Sequence, residues 1–199
     1  MLSNDTDAIA TGGKTGMKRR ICAFSGHRPS KFPWKYDESD SGCVKLKIAL
    51  AEQITALVDY DGVTDVLVGG AEGADTWAAL TVLSLCEKNP ALRLHCILPY
   101  RGQSDSWSAS AREWYQGILD RADGVLYMHR EYRKGCMLER NRFMVDHADM
   151  LFAVYNGEWR GGTAATVRYA RKLEKRILIL NPSTFSFSTS TPEKISQIL

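Results

Sequence analysis

At 199 residues the chain has the length of one ordinary domain, enough to bury a core without disulfides or a structural metal. With 44% hydrophobic and 25% charged residues, and no apolar run near the roughly 18 residues of a membrane span, the composition is that of a soluble globular protein rather than a membrane-spanning one. A formal charge of +3, with basic residues scattered apart from Lys18, Arg19 and Arg20, announces no nucleic-acid surface. Cys22, Cys43, Cys86, Cys96 and Cys136 are odd in number and never spaced CxxC, and the N-terminus lacks the basic start and apolar stretch of a signal peptide. Reduced thiols, a cytoplasmic location and no metal site are the expectation.

Residues 1–18 are small and polar and read as a disordered leader. Thr11 to Gly16 mimic a phosphate loop, but the glycine that a Walker A motif needs five positions before its Gly-Lys-Thr is Ala8, and no strand precedes it. From Ile21 onward short apolar runs alternate with segments of helical period. Six strands are predicted, at Ile21–Ser25, Val66–Val68, Leu92–Leu98, Gly124–Met128, Met150–Tyr155 and Ile177–Leu180. Helices are predicted over Val44–Val58, Ala74–Leu85, Trp107–Leu119, Leu138–His147 and Val167–Leu173. Runs apolar on both faces and joined by helices imply a doubly wound, Rossmann-like α/β fold, its mostly parallel sheet of six or more strands covered on both sides. That domain is expected over 19–182, followed by a tail over 183–199 in which Ser183–Thr191 reads as a loop and Pro192 opens a short helix.

In such sheets ligands bind outside the carboxyl ends of the strands, so the loops there carry the functional weight. After the second strand, Gly69, Gly70, Gly73 and Asp75 precede a helix, which suits either an anion held by backbone N–H groups or a tight turn with positive φ. The spacing is not GxGxxG, and no acidic residue falls at the tip of the next strand, so dinucleotide binding of the ordinary kind is disfavoured. After the fifth strand, Arg160, Gly161, Gly162 and Thr163 again put glycines and a hydroxyl at a helix start, where Thr163 would cap the helix or hold phosphate. After the first strand come Ser25, Gly26, His27 and Arg28, an exposed-looking pair of cations at the crevice edge. Arg140 and Asn141 would add a cation and an amide from the helix before the fifth strand. One helix terminus contributes only about 0.3–1 kcal/mol to an anion, so several of these loops must converge.

The ordered pieces Ser-Gly-His-Arg-Pro (25–29), Gly-Gly-Ala-Glu-Gly-Ala-Asp (69–75), Arg-Asn-Arg-Phe-Met-Val-Asp (140–146) and Gly-Gly-Thr (161–163) resemble the YpsA-like family of the SLOG superfamily over about residues 20 to 182. The resemblance implies a Rossmann-like fold and the binding or sensing of a nucleotide-derived ligand, with no cofactor required. It also brings rivals. In the related LOG phosphoribohydrolases a glutamate follows the Gly-Thr and serves N-glycosidic cleavage; Thr166 stands at that position here, leaving Glu72, Asp75 and Glu139 as the only carboxylates to offer. The DprA branch carries a motif similar to residues 70–75, but nucleic acid is not the expected partner on this composition. A small phosphorylated ligand is, with no membrane and with homo-oligomerisation left open.

Overall fold

The computed structural model describes residues 19–191, so the leader with its false phosphate loop and the helix expected at Pro192 lie outside the described residues. Seven strands form one sheet: β1 (Ile21–Gly26), β2 (Asp65–Val68), β3 (Arg93–Tyr100), β4 (Gly124–His129), β5 (Met150–Val154), β6 (Arg176–Leu180) and β7 (Phe187–Ser190). Their order is β4-β3-β2-β1-β5-β6-β7, with every pair parallel except β6 and β7. Five helices connect them: α1 (Ser41–Asp59), α2 (Ala74–Cys86), α3 (Ala109–Arg121), α4 (Cys136–Asp146) and α5 (Gly162–Lys172).

Alternation along the central strand assigns the layers. Cys22 and Phe24 face the core that contains Leu46, Leu50 and Ile54 of α1 and Trp77, Ala78 and Val82 of α2. Ala23, in register with Leu67 and Leu151, faces the other core, with Met144 of α4 and Val167 of α5. Helices therefore cover both faces, as the doubly apolar strand pattern requires. The chain winds outward from β1 to β4 and then returns through α4 to the other side of β1. This leaves a switch point between the carboxyl ends of β1 and β5, where such sheets open a crevice.

The stretch read as a Ser/Thr-rich loop instead pairs antiparallel with β6, Ile179 opposite Ser188 and Leu180 opposite Phe187. Its strand is exposed throughout, so no buried alternation marks it in the sequence. What selects it is the otherwise open edge of β6, reached through a turn in which Asn181 accepts from the Ser183 and Phe185 N–H groups.

The foot of the sheet is held by charge. Asp65, buried at the start of β2, accepts from His95 Nε2 at 2.9 Å, from Arg19 Nε at 3.1 Å and from the Thr64 hydroxyl at 2.7 Å. Burial alone would raise its pKa, but the hydrogen bonds from His95, Arg19 and Thr64 outweigh it and hold the carboxyl well below the usual range. That stabilisation is fully present above the unfolded pKa of about 3.9 and is lost as pH falls below it. Asp65→Asn is therefore expected to cost about 2 kcal/mol or more at neutral pH, by urea denaturation, with the gap to wild type narrowing by about pH 3. A gap independent of pH would refute the assignment.

Candidate functional site

A cavity of about 240 Å³ opens at the switch point. Three loops and a helix meet there: Ser25, Gly26, His27 and Arg28 after β1, Ala71 and Asp75 around the start of α2, Arg160 to Thr163 at the start of α5, and Arg140 and Asn141 from α4. Four regions singled out in the sequence are thus brought to one place, though their residues do different things.

The β2–α2 loop is tied down by a carboxylate of the protein itself. Asp75 is buried, and its carboxylate accepts from Gly26 N–H at 3.2 Å and from Ala71 N–H at 3.3 Å. Burial pushes its pKa up, against Arg140 and the two N–H groups, which pull it down. The glycines serve packing. A Cβ on Gly69 would fall on the Arg140 guanidinium, and one on Gly73, which also has φ +88°, would lie 2.8 Å from Pro29 Cδ. Gly70, with φ +64°, packs against Leu98 and Tyr115. Gly70 and Gly73 thus have the positive φ of a tight turn, and the protein's own carboxylate takes the Ala71 N–H of this loop.

Arg140 is buried beneath this loop. Its Nη1 donates to the carbonyls of Gly69 and, at 3.2 Å, Ile97, while Nε donates to Asn141 Oδ1 at 2.8 Å. From Asn141 the chain of bonds continues through Nδ2 to Thr166 Oγ1 (2.7 Å) and from that hydroxyl to the Gly162 carbonyl (2.9 Å). The position that holds glutamate in the hydrolase pattern thus carries a buried hydroxyl fixing the first turn of α5. Gln103 of the β3–α3 loop donates to the Gly70 carbonyl at 2.5 Å. Sequence reading missed it, since a lone glutamine in a polar loop carries no motif.

The start of α5 is the open end. Its N-cap is Gly161, with φ +113° and no side-chain cap, so Thr163 lies inside the first turn rather than capping it. The Thr163 hydroxyl donates to the Gly26 carbonyl at 3.1 Å, tying α5 to the tip of β1. Beside it, His27 is buried rather than exposed, its Nε2 3.0 Å from Asn156 Oδ1. The Asn156 backbone N–H also points at Nε2, at 3.3 Å. Burial lowers the pKa of His27, which keeps the ring neutral. Arg28, by contrast, is exposed at the cavity mouth, as is Lys31, which pairs with Glu158 at 3.0 Å.

Of the three carboxylates considered for catalysis, only Asp75 reaches the cavity, and its oxygens are committed to backbone N–H groups. Glu72 faces a separate groove, and Glu139 lies on another surface of α4, 2.8 Å from His129 Nε2. The structure does not bring them together. Among the described residues no group of three or more His, Cys, Asp or Glu side chains is placed to hold a metal, and no helix is long and apolar enough to cross a membrane.

The chain is 34% identical over 154 residues to a UPF0398 protein of Bacillus pumilus, covering 76% of this chain and 81% of that protein. A UPF0398 protein of Bacillus cereus is 31% identical over 156 residues, with 77% and 83% covered. Among solved structures, TM1055, a structural-genomics target, aligns with TM-score 0.53 at 18% identity over 90% of this chain and 82% of that one. DNA processing protein A of Helicobacter pylori, described for its single-stranded DNA binding mode, aligns with TM-score 0.52 at 20% identity. DprA of Streptococcus pneumoniae gives TM-score 0.53 at 14% identity. The alignments cover 81% and 82% of this chain but only 65% of the first DprA chain and 50% of the second, and at such identities the likeness is one of fold. The model of the YspA SLOG family matches residues 22–183, the span that holds every loop of the cavity, and the chain belongs to that family.

Proposed function

We propose that the cavity binds the phosphate of a nucleotide-derived ligand and that the protein works as a ligand-binding or sensing module rather than a hydrolase. The observation that carries this reading is the uncapped start of α5, opening into a cavity also lined by Arg28, Arg140 and Arg160. N-terminal N–H groups, the exposed Arg28 and Arg160 from separate loops, and the positive charge of the buried Arg140 of α4 supply together what one helix terminus cannot. A volume of about 240 Å³, below the roughly 300–1,000 Å³ of sites that enclose a drug-sized ligand, suits the phosphate end of such a ligand. Hydrolysis is disfavoured because Thr166 fills the position of the hydrolase carboxylate, and the one carboxylate at the cavity, Asp75, is buried and engaged by two backbone N–H groups.

Single-stranded nucleic acid is the second reading. It is favoured by the fold shared with the Helicobacter pylori protein, beside which the expectation of no nucleic-acid partner weakens, and phosphate donors at a cavity mouth accept a strand as well as a monomer. Salt separates the two, because strand binding loses affinity with a log–log slope of about −0.7 per phosphate contacted.

Mono-, di- and cyclic nucleotides, nucleotide sugars and ADP-ribose derivatives are expected to include a compound that stabilises the protein by about 2.7 kcal/mol at a hundredfold excess over Kd, seen as a raised Tm. Chromatography after long incubation with nucleoside monophosphates is expected to find no free base. Released base would reinstate the hydrolase. No thermal shift from any of these compounds, with salt-sensitive binding of an oligonucleotide, would favour the second reading.

A further inference from the structure

A groove of about 730 Å³ runs along the solvent side of α2, which packs against both α1 and α3. Trp77 and Leu80 of α2 line it, with Ile48 of α1, Trp114 of α3 and Tyr36 of the loop before α1. Trp77 is buried, its ring stacked on Phe32 at 5.5 Å and approached by Lys47 Nζ at 5.4 Å. Trp114 and Tyr36 are 60% and 65% exposed, so their rings are free to stack on something else. The volume, and an apolar lining with a few polar groups, are those of a site for a small organic molecule.

The groove lies beside the phosphate cavity. Arg28, Ala71 and Asp75 line the cavity, while their chain neighbours Pro29, Glu72 and Thr76 line the groove. The ridge between the two is therefore the width of the backbone, with Gly73 packed closely on Pro29. The cavity has room for the phosphate end of a ligand only, and the rest of that ligand needs a second surface nearby.

Glu72 narrows the chemistry. It is half-buried, burial raising its pKa against the charge of Arg28, and no donor among the described residues hydrogen-bonds to it. Glu38, the other carboxylate of the groove, is by contrast paired with Lys47 at 2.6 Å and accepts from the Trp77 indole N–H. A carboxylate only accepts hydrogen bonds, so one left without a partner in an apolar groove calls for N–H donors. Open aromatic rings beside such an acceptor suit a nucleobase with an exocyclic amino group, such as adenine or cytosine, whereas uracil offers a carbonyl in its place.

We propose that the groove receives the base of the ligand whose phosphate is held at the start of α5, with Trp114 and Tyr36 stacking on the base and Glu72 accepting from its amino group. The inference rests on the phosphate reading of the cavity and adds to it a preference among bases.

Calorimetry with ADP, CDP, UDP and ribose 5-phosphate tests it. ADP and CDP are expected to bind about tenfold or more tighter than UDP and ribose 5-phosphate. Trp114→Ala, at an exposed position and so compatible with folding, is expected to weaken ADP and CDP about tenfold and to leave ribose 5-phosphate unchanged. Glu72→Gln is expected to bring CDP and UDP level, because an amide both donates and accepts. Gly162→Asp separates the two readings, since it opposes the phosphate and so weakens ribose 5-phosphate as well. Loss of ADP binding in Gly162→Asp, with none in Trp114→Ala or Glu72→Gln, overturns the placing of the base and leaves the phosphate reading standing. Equal affinity for ADP, UDP and ribose 5-phosphate does the same. No binding of any of the four overturns both.

Discussion

Arg140→Ala is expected to destabilise the protein by about 3–5 kcal/mol, lowering Tm by roughly 10 °C for a chain of this size. The guanidinium is buried and donates to the Gly69 and Ile97 carbonyls, and it is the nearby cation that eases ionisation of the buried Asp75. Removing it takes a donor from two buried carbonyls and leaves the buried carboxylate without its main compensating cation. The second effect has its own signature. Without Arg140 the pKa of Asp75, already raised by burial, rises further, and a carboxyl whose folded pKa is raised costs stability as pH increases through that value. The variant's deficit is therefore expected to be larger near pH 8 than near pH 5, and Asp75→Asn is expected to recover about 1 kcal/mol or more in the Arg140→Ala background. Urea denaturation of the four proteins of this cycle at both pH values checks it. Additive single effects and a flat pH dependence would reduce Arg140 to a packing residue.

Gly162→Asp is expected to abolish ligand binding while leaving the fold intact. A Cβ at Gly162 meets nothing within 4 Å, and the residue is the first of α5, where a carboxylate favours the helix by about 0.3–1 kcal/mol. The same carboxylate would occupy the N–H groups proposed for the phosphate and repel it. The whole ligand-induced gain, about 2.7 kcal/mol at a hundredfold excess over Kd, should therefore vanish while the Tm of the unliganded protein holds or rises slightly. Calorimetry with the ligand identified by thermal shift measures it directly. Undiminished affinity would move the phosphate away from α5. Gly161 would be the wrong position to test, since its φ of +113° would add backbone strain to any effect.

Some of this was open to sequence reading and some was not. The six parallel strands and five helices follow from local periodicity, and the predicted spans match the observed ones to within a few residues, apart from the early start of α5 at Gly162. Short β-rich runs and amphipathic helices are written in neighbouring side chains, so they need no knowledge of the partner. β7 was not legible, because an exposed strand of Phe187 to Ser190 has no burial pattern and owes its pairing to the edge of β6.

At the cavity the division is sharper. Sequence alone named the segments that meet at the cavity, because the glycine-bearing strand-to-helix junctions and the parallel topology fix where a crevice opens. It also named Arg140, Asn141, Gly162 and Thr163 as members. Only the tertiary structure decided their roles. Gly69–Gly70–Ala71–Glu72–Gly73 reads as an anion site or a tight turn, and the structure puts Asp75 on its Ala71 N–H; Thr163 reads as a cap or a phosphate ligand, and its hydroxyl lies on the Gly26 carbonyl. Such roles depend on where each donor's free partner lies, and the contacts that decide it join residues as far apart as Arg140 and Gly69, 71 positions away in the chain. A sequence fixes the inventory of donors and acceptors, while which of them are consumed by one another, and which remain for a ligand, is set by long-range packing.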